Sequence, residues 1–207
     1  MRCRLVGSEM CIRDRLGDVK YVDQNNDGII DDNDRTIIAR TQPKHFGSMY
    51  NDFSYRGFNL GVFITYKYGF DVINGNKHRM VATGYDQFNK TADLANHWTP
   101  ENTNTNVPRA DYKDFNFTDR FVEDGSFVRL QSVNLSYNLP NEIVKNIGVK
   151  SLKIYTNIDN LYIWTKYSGY DPDVSVARGQ QALITPNLDY GAYPRTLNVT
   201  LGVNVKF

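Results

Sequence analysis

Residues 23 to 34 read DQNNDGIIDDND, and the oxygen-bearing side chains in this stretch recur at the spacing of a twelve-residue calcium loop. Asp23 stands first, Asn25 third and Asp27 fifth; Gly28 is sixth, where the chain must turn sharply. Ile29 would offer its backbone carbonyl at the seventh place, Asp31 would act directly or through water, and Asp34 would close the shell. Calcium is a hard ion that takes about 6 to 8 oxygens, and a glycine at the bend lets the backbone wrap around it. Side-chain oxygens in this register favour a metal over a merely solvated acidic turn, and their number favours Ca2+ over Mg2+. One position departs from the EF-hand pattern: Asp34 stands where that pattern has a bidentate Glu, so the site is weakened unless the loop tightens. The flanks GDVKYV and RTIIAR read as extended chain rather than helices. A loop-stiffening clasp is therefore expected, and a sensor that opens a helix pair is not.

Little else in the chain has the spacing of a reactive site. His45, His78 and His97 are far apart and have no companion Cys or close His, so they read as surface or rim residues rather than zinc ligands. No phosphate-cradling loop, nucleophile elbow or pair of catalytic carboxylates stands out, and an enzyme is not expected. Trp98, Trp164, Tyr162, Tyr167, Tyr170, Tyr190 and Tyr193 could stack on sugar rings. An interfacial aromatic girdle is the preferred reading of them. Arg109 and Asp111 are expected to hold the shape of a long loop. No substrate-binding residue is assigned.

Period-two alternation dominates the elements that would carry these residues. In YRGFNLGVFITYKYGF (55 to 70), Phe58, Leu60, Val62, Ile64, Tyr66 and Tyr68 share one face; Asn59, Gly61, Phe63, Thr65 and Lys67 share the other. HFGSMYNDFSY would pair with it across a turn at Tyr55-Arg56-Gly57. In SFVRLQSVNLSYNLP, Val133, Leu135, Tyr137 and Leu139 align; in SLKIYTNIDNLYIW, Leu152, Ile154 and Ile158 do. The last strand, TLNVTLGVNVKF, sets Leu197, Val199, Leu201, Val203, Val205 and Phe207 against Asn198, Thr200, Gly202, Asn204 and Lys206. Five strands are expected. Their links are short near residue 56 and at 140 to 150, but long and polar at roughly 70 to 125 and 165 to 194. That inequality suits a membrane barrel with turns at one end and loops at the other. Periodicity alone leaves a β-sandwich equally open, because either architecture satisfies period two.

Composition narrows the class further. With 24 Lys+Arg against 23 Asp+Glu and no basic stripe, nucleic acid is not expected as a partner, whereas 14 Tyr and 11 Phe suit strands and aromatic girdles. No apolar run reaches the ~18 residues of a membrane helix, a test that does not touch barrels. The opening MRCRLVGSEMCIRDR holds Cys3 and Cys11 and lacks the apolar core of an export signal. It resembles translated adapter or vector sequence, its thiols reading as incidental and the head as unstructured, with the natural protein expected to begin before residue 16.

Five segments in order resemble the carboxy-terminal end of the SusC/RagA family of TonB-linked outer-membrane proteins. They are GDVKYVDQNNDGIIDDNDR (17 to 35), HWTPENTNTNVPRA (97 to 110), FVEDGSFVRLQSVNLSYNLP (121 to 140), NLYIWTKYSGYDPDV (160 to 174) and YPRTLNVTLGVNVKF (193 to 207). The resemblance implies an all-β fold: antiparallel up-and-down strands forming the end of a large transmembrane barrel, in the cell outer membrane. It implies import of large nutrients, glycans or peptides, with a SusD-like lipoprotein lid and energy from the TonB complex. The plug and TonB box through which such receptors work are not in these residues. Phe207 resembles the terminal aromatic that the outer-membrane assembly machinery recognises. The expected organisation is a non-native-looking head at 1–15, an external loop with the calcium-type motif at 16–40, and barrel strands with their loops at 41–207. The alternative is a secreted β-sandwich that binds calcium and carbohydrate; a calcium-dependent secreted hydrolase is weaker for want of a catalytic set.

Overall fold

The computed structural model describes residues 3–5, 15–81, 89–112, 118–146, 148–174, 176 and 187–207. The chain divides into two compact units, one made of residues 42–70, 125–172 and 193–207, the other of residues 1–41, 71–124 and 173–192.

The first unit is an antiparallel meander. Strands β3 (His45–Tyr55), β4 (Phe58–Tyr68), β7 (Phe127–Asn138), β8 (Ser151–Thr165) and β10 (Asn198–Lys206) lie side by side in chain order. These are the five strands the alternation predicts. β3 and β4 are joined by Arg56 and Gly57, both with positive φ (47° and 86°), the pattern of a type I′ hairpin, whose twist matches that of the strands. The turn therefore begins one residue later than expected, Tyr55 being the last residue of β3 and paired with Phe58. The β7–β8 link contains a one-turn helix, α2 (Asn141–Asn146), not anticipated from PNEIVKNIGVK; its Val144 is buried, and Val149 N–H returns to the Val144 carbonyl at 3.2 Å. In the antiparallel register both of these links fall at one end of the sheet, and all the long connections start and finish at the other.

A bulge adjusts the register midway. Between Leu130 and Ser132 the pairing slips, leaving Gln131 unpaired. Its amide donates to Asn160 Oδ1 at 3.2 Å, where the β8 backbone has a φ of 55°. The slip moves Val128 and Leu130 onto the face of Val133 and Leu135, although their sequence parity is opposite.

The second unit is built from the long connections themselves. β5 (Asp71–Asn74) pairs with β6 (Val122–Asp124) and, in parallel, with β9 (Leu188–Asp189). Helix α1 (Gly75–Val81) follows β5 directly. Val72, Val81 and Phe121 supply a small apolar core, with His78 set edge-on to Phe121 at 4.7 Å between ring centroids. The surface reading of His78 is thus corrected: its side chain is buried, because the flat imidazole fills the gap beside an aromatic ring. The head contributes β1 (Cys3–Leu5), paired with β2 (Val19–Tyr21), so at least this part of it is strand rather than unstructured chain. Residues 6–14, with Cys11, lie outside the described residues. Residues 71–124 and 173–192 group with residues 1–41, which include the acidic loop.

Candidate functional site

Two chemically opposite faces of the meander are its main functional feature. Phe53, Leu60, Leu135, Thr156 and Leu201 form one row across all five strands; Tyr55, Phe58, Tyr137, Ile154 and Val203 form a second, and Asn51, Val62, Val133, Ile158 and Val199 a third. The face is almost wholly apolar, yet it is not covered: Leu201 is 79% exposed, and Phe53, Phe58, Ile154, Val199 and Val203 are exposed as well. A sandwich would bury Leu197, Val199, Leu201, Val203 and Val205 beneath a second sheet; all of them are exposed. At the long-connection end of β8, Tyr162 and Trp164 project from this face as a T-shaped pair with centroids 4.8 Å apart, where a girdle is expected.

The opposite face is polar. Asp52, Gly61, Asn134, Asn157 and Thr200 form one row, and Ser54, Asn59, Ser136, Tyr155 and Gly202 another. Aromatics lean over its glycines: a Cβ on Gly61 would come within 2.6 Å of the Tyr50 hydroxyl, and one on Gly202 would collide with the ring of Tyr155. At the other end of this face Arg129 points to Asp171, its Nη2 donating to Oδ1 at 2.6 Å, while Arg195 Nε lies 3.5 Å from Oδ2. Arg129 also stacks over Phe127, its guanidinium carbon 5.2 Å from the ring centroid. A charge this deeply buried is tolerable only when paired. This ion pair was not foreseen: in sequence Arg129 is in phase with the apolar Val133 and Leu135, and only the bulge at Gln131 turns it to the polar face.

The acidic loop closes on itself. Asp23 accepts from the amides of Asn26 (2.7 Å) and Gly28 (2.8 Å), Asp27 from that of Ile29 (2.8 Å), and Asp31 from that of Asn33 (2.7 Å). Gly28 has a φ of 78°, as the sharp turn at the sixth place requires. Asp34 is fully buried and bridges the two ends, accepting from the amides of Gln24 and Asp31, both at 2.8 Å. These N–H groups, that of Asp31 foremost and then that of Gln24, hold the Asp34 carboxyl below its usual 3.8 against the opposing effect of burial. A capping box between Asp31 and Asp34 holds the Asp34 carboxylate against the start of the Asp32–Asp34 turn. Among the described residues no three His, Cys, Asp or Glu side chains converge as a metal cluster.

The remaining expected residues are spread apart. Arg109 bridges Asp18 (2.6 Å) and Asp111 (3.2 Å), fixing the connection as anticipated. Trp98 lies on Gly17, where a Cβ would strike its ring, and Tyr167 is buried, so these two are packing residues rather than girdle. Tyr190 carries Arg79 over its ring at 4.5 Å; Tyr170 and Tyr193 are exposed. His45 is exposed at the start of β3, and His97 Nδ1 lies 3.0 Å from the Leu94 carbonyl. Phe207 follows β10 and is exposed.

An open antiparallel meander with one bare apolar face and one polar face is a length of membrane-barrel wall, with two unpaired edges that further strands must satisfy. No family model matches the chain. Its sequence is 34% identical over 189 residues to TonB-dependent receptor P3 of Formosa agariphila (90% of this chain, 19% of that protein). It is 33% identical to TonB-dependent receptor P26 of the same organism, over 93% of this chain and 20% of the relative. To TonB-dependent receptor SusC of Bacteroides thetaiotaomicron it is 23% identical, over 90% of this chain and 17% of the relative. The solved RagAB peptide importer, in its open-open state, superposes with a TM-score of 0.69 at 27% identity, covering 81% of this chain and 17% of that one. Over about nine tenths of its length the chain matches a part of TonB-dependent receptors of the SusC/RagA type. It spans about a fifth of the length of the curated relatives it matches.

Proposed function

We propose that this chain supplies part of the wall and the external connections of an outer-membrane importer for large nutrients, glycans or peptides. The observation that carries this reading is the continuous, uncovered apolar face across five strands, backed by a polar face suited to a lumen. The peptide importer RagAB and the receptor SusC among its relatives support transport as the activity and a SusD-like lipoprotein as the partner. TonB would drive it through parts of the receptor other than these strands. Counting back from a periplasmic Phe207, the long connections face outside, and Phe207 would be read by the assembly machinery. The acidic loop would then hold Ca2+ outside the cell through the carboxylate lone pairs its own amides leave free, at an affinity of ~0.1 to 1 mM.

Spin labels at Leu201→Cys and Thr200→Cys, in the full-length protein in outer-membrane vesicles, test the reading. Leu201 should be reached by dissolved oxygen and shielded from a water-soluble nickel chelate, and Thr200 should show the reverse. Equal nickel access at both would sink the proposal.

A further inference from the structure

We propose that a cleft in the unit formed by the long connections binds an oligosaccharide carrying an anionic group, with Arg120 as the anion anchor. This rests on the importer reading and adds the chemical class of ligand. The cleft has a volume of about 510 Å³, within the ~300 to 1,000 Å³ usual for ligand pockets. Arg120 sits on its wall in the turn Asp119–Phe121 and is only partly exposed. Its Nη2 donates to the Asn106 carbonyl at 3.1 Å, which fixes the guanidinium and leaves the rest of its fork of N–H donors unused. No carboxylate among the described residues pairs with it. The other cation on the lining, Lys77, is by contrast held by Glu123 at 3.1 Å. A positioned, unpaired guanidinium beside a cleft is a bidentate receptor for a carboxylate or a sulfate ester.

The groups around Arg120 select what the anion is attached to. The side chains of Asp93, Asn104 and Asn106 line the same cleft and make no hydrogen bond within the described protein. Their scaffold is already closed, with Trp98 N–H on the Val107 carbonyl at 2.9 Å and Val107 N–H on Thr105 Oγ1 at 3.1 Å, so little order has to be gained on binding. A side-chain amide both donates and accepts, as a sugar hydroxyl does, and Asp93 accepts from hydroxyls. Apolar lining is limited to Val81 and Val107, with no aromatic among the described lining residues, so the large apolar side chains of a peptide would gain little.

The test is calorimetry on the full-length protein in detergent with four probes: an oligogalacturonate, a sulfated galactose oligosaccharide, a neutral malto-oligosaccharide and an acidic tetrapeptide. One of the two anionic saccharides should bind at least about tenfold more tightly than the neutral one, and which of them does so tells carboxylate from sulfate. Arg120→Gln should remove about that tenfold preference, and Arg120→Lys should restore part of it. Asn104→Ala deletes an exposed side chain without partners, so it should weaken binding several-fold with the fold intact. Equal binding of neutral and anionic sugars, preference for the peptide, no binding of any saccharide, or indifference to both Arg120→Gln and Asn104→Ala would overturn the proposal. Spin-label accessibility at Leu201 and Thr200 is read separately, so failure of the cleft is distinguishable from failure of the importer reading.

Discussion

Arg129 and Asp171, 42 residues apart in sequence, meet at 2.6 Å with each only 4% exposed. Arg129 is fixed on the polar face of β7 between its ladder partners Thr65 and Ile163, so the ion pair ties the segment after β8 down onto the sheet. Asp171→Asn keeps the shape but leaves a buried guanidinium without its counter-charge, and should cost about 3 kcal/mol or more. Replacing both residues with similarly sized apolar side chains should recover most of that loss. Urea unfolding in detergent measures both; a single variant as stable as the parent would contradict the pairing.

Asp34 makes the acidic loop sensitive to acid. Its carboxyl is held below 3.8 when folded, so the stabilisation is fully present above 3.8 and is lost as pH falls through the lowered folded value. Hydrogen exchange at the Gln24 and Asp31 amides, corrected for intrinsic rates, should therefore show protection that holds at neutral pH and collapses only at strongly acidic pH. In Asp34→Asn both amides should be less protected at neutral pH, without the acid transition.

The same loop is proposed to hold Ca2+, with Asp34 in its deprotonated form closing the shell. Titration of Ca2+ into the full-length protein should give binding in the ~0.1 to 1 mM range and slow proteolysis within residues 23 to 34, and Mg2+ should do neither. Asp23→Ala removes both a first ligand and the acceptor for Asn26 and Gly28, so it should abolish the effect. Absence of any Ca2+ effect at about 10 mM, well above that range, would leave the loop as a self-closed acidic turn.

The strands and their two faces were legible because side-chain period two is a local property, and FNLGVFITYKY and TLNVTLGVNVKF each carry it without interruption. The bulge at Gln131 was legible too, had the parity change between Val128-Leu130 and Val133-Leu135 been followed through the run. What the sequence could not show were relationships without a period: the pairing of Arg129 with Asp171, the parallel bridge of β5 to β9, and the burial of His78 against Phe121. Each joins segments at least 42 residues apart, by side-chain fit or by backbone pairing, which no spacing rule encodes. The acidic loop falls between these cases. Its spacing and the bend at Gly28 were readable, but the use of Asp23, Asp27, Asp31 and Asp34 as acceptors for the loop's own backbone was not.

Gly57 is a sharp test of the short end of the sheet. With φ at 86°, an alanine there would be strained, and its Cβ would lie 2.7 Å from the Asn138 carbonyl oxygen. That oxygen belongs to the segment whose amide donates to the Gly57 carbonyl at 2.8 Å, so relief of the clash would break the bond between hairpin and β7. Gly57→Ala should therefore destabilise by about 1 to 3 kcal/mol, whereas Arg56→Asn, which suits positive φ, should be neutral or slightly stabilising. Thermal unfolding of the two variants in detergent gives the comparison.

Leu201 and Thr200 are neighbours in β10 whose side chains meet different surroundings if the apolar rows face lipid. A lysine at 201 would sit in the middle of a row running through Phe53, Leu60, Leu135 and Thr156, and near the bilayer midplane such a charge costs about 2 to 4 kcal/mol. A lysine at 200 joins Asp52, Asn134 and Asn157 on the polar face and should cost little. Leu201→Lys should thus lower the yield of assembled receptor and its unfolding free energy, with Thr200→Lys close to the parent. The reverse order, or equal penalties, would mean that the apolar rows do not face lipid. Each variant shifts the chain's charge by the same amount, so the comparison isolates the environment of the face from any effect of net charge.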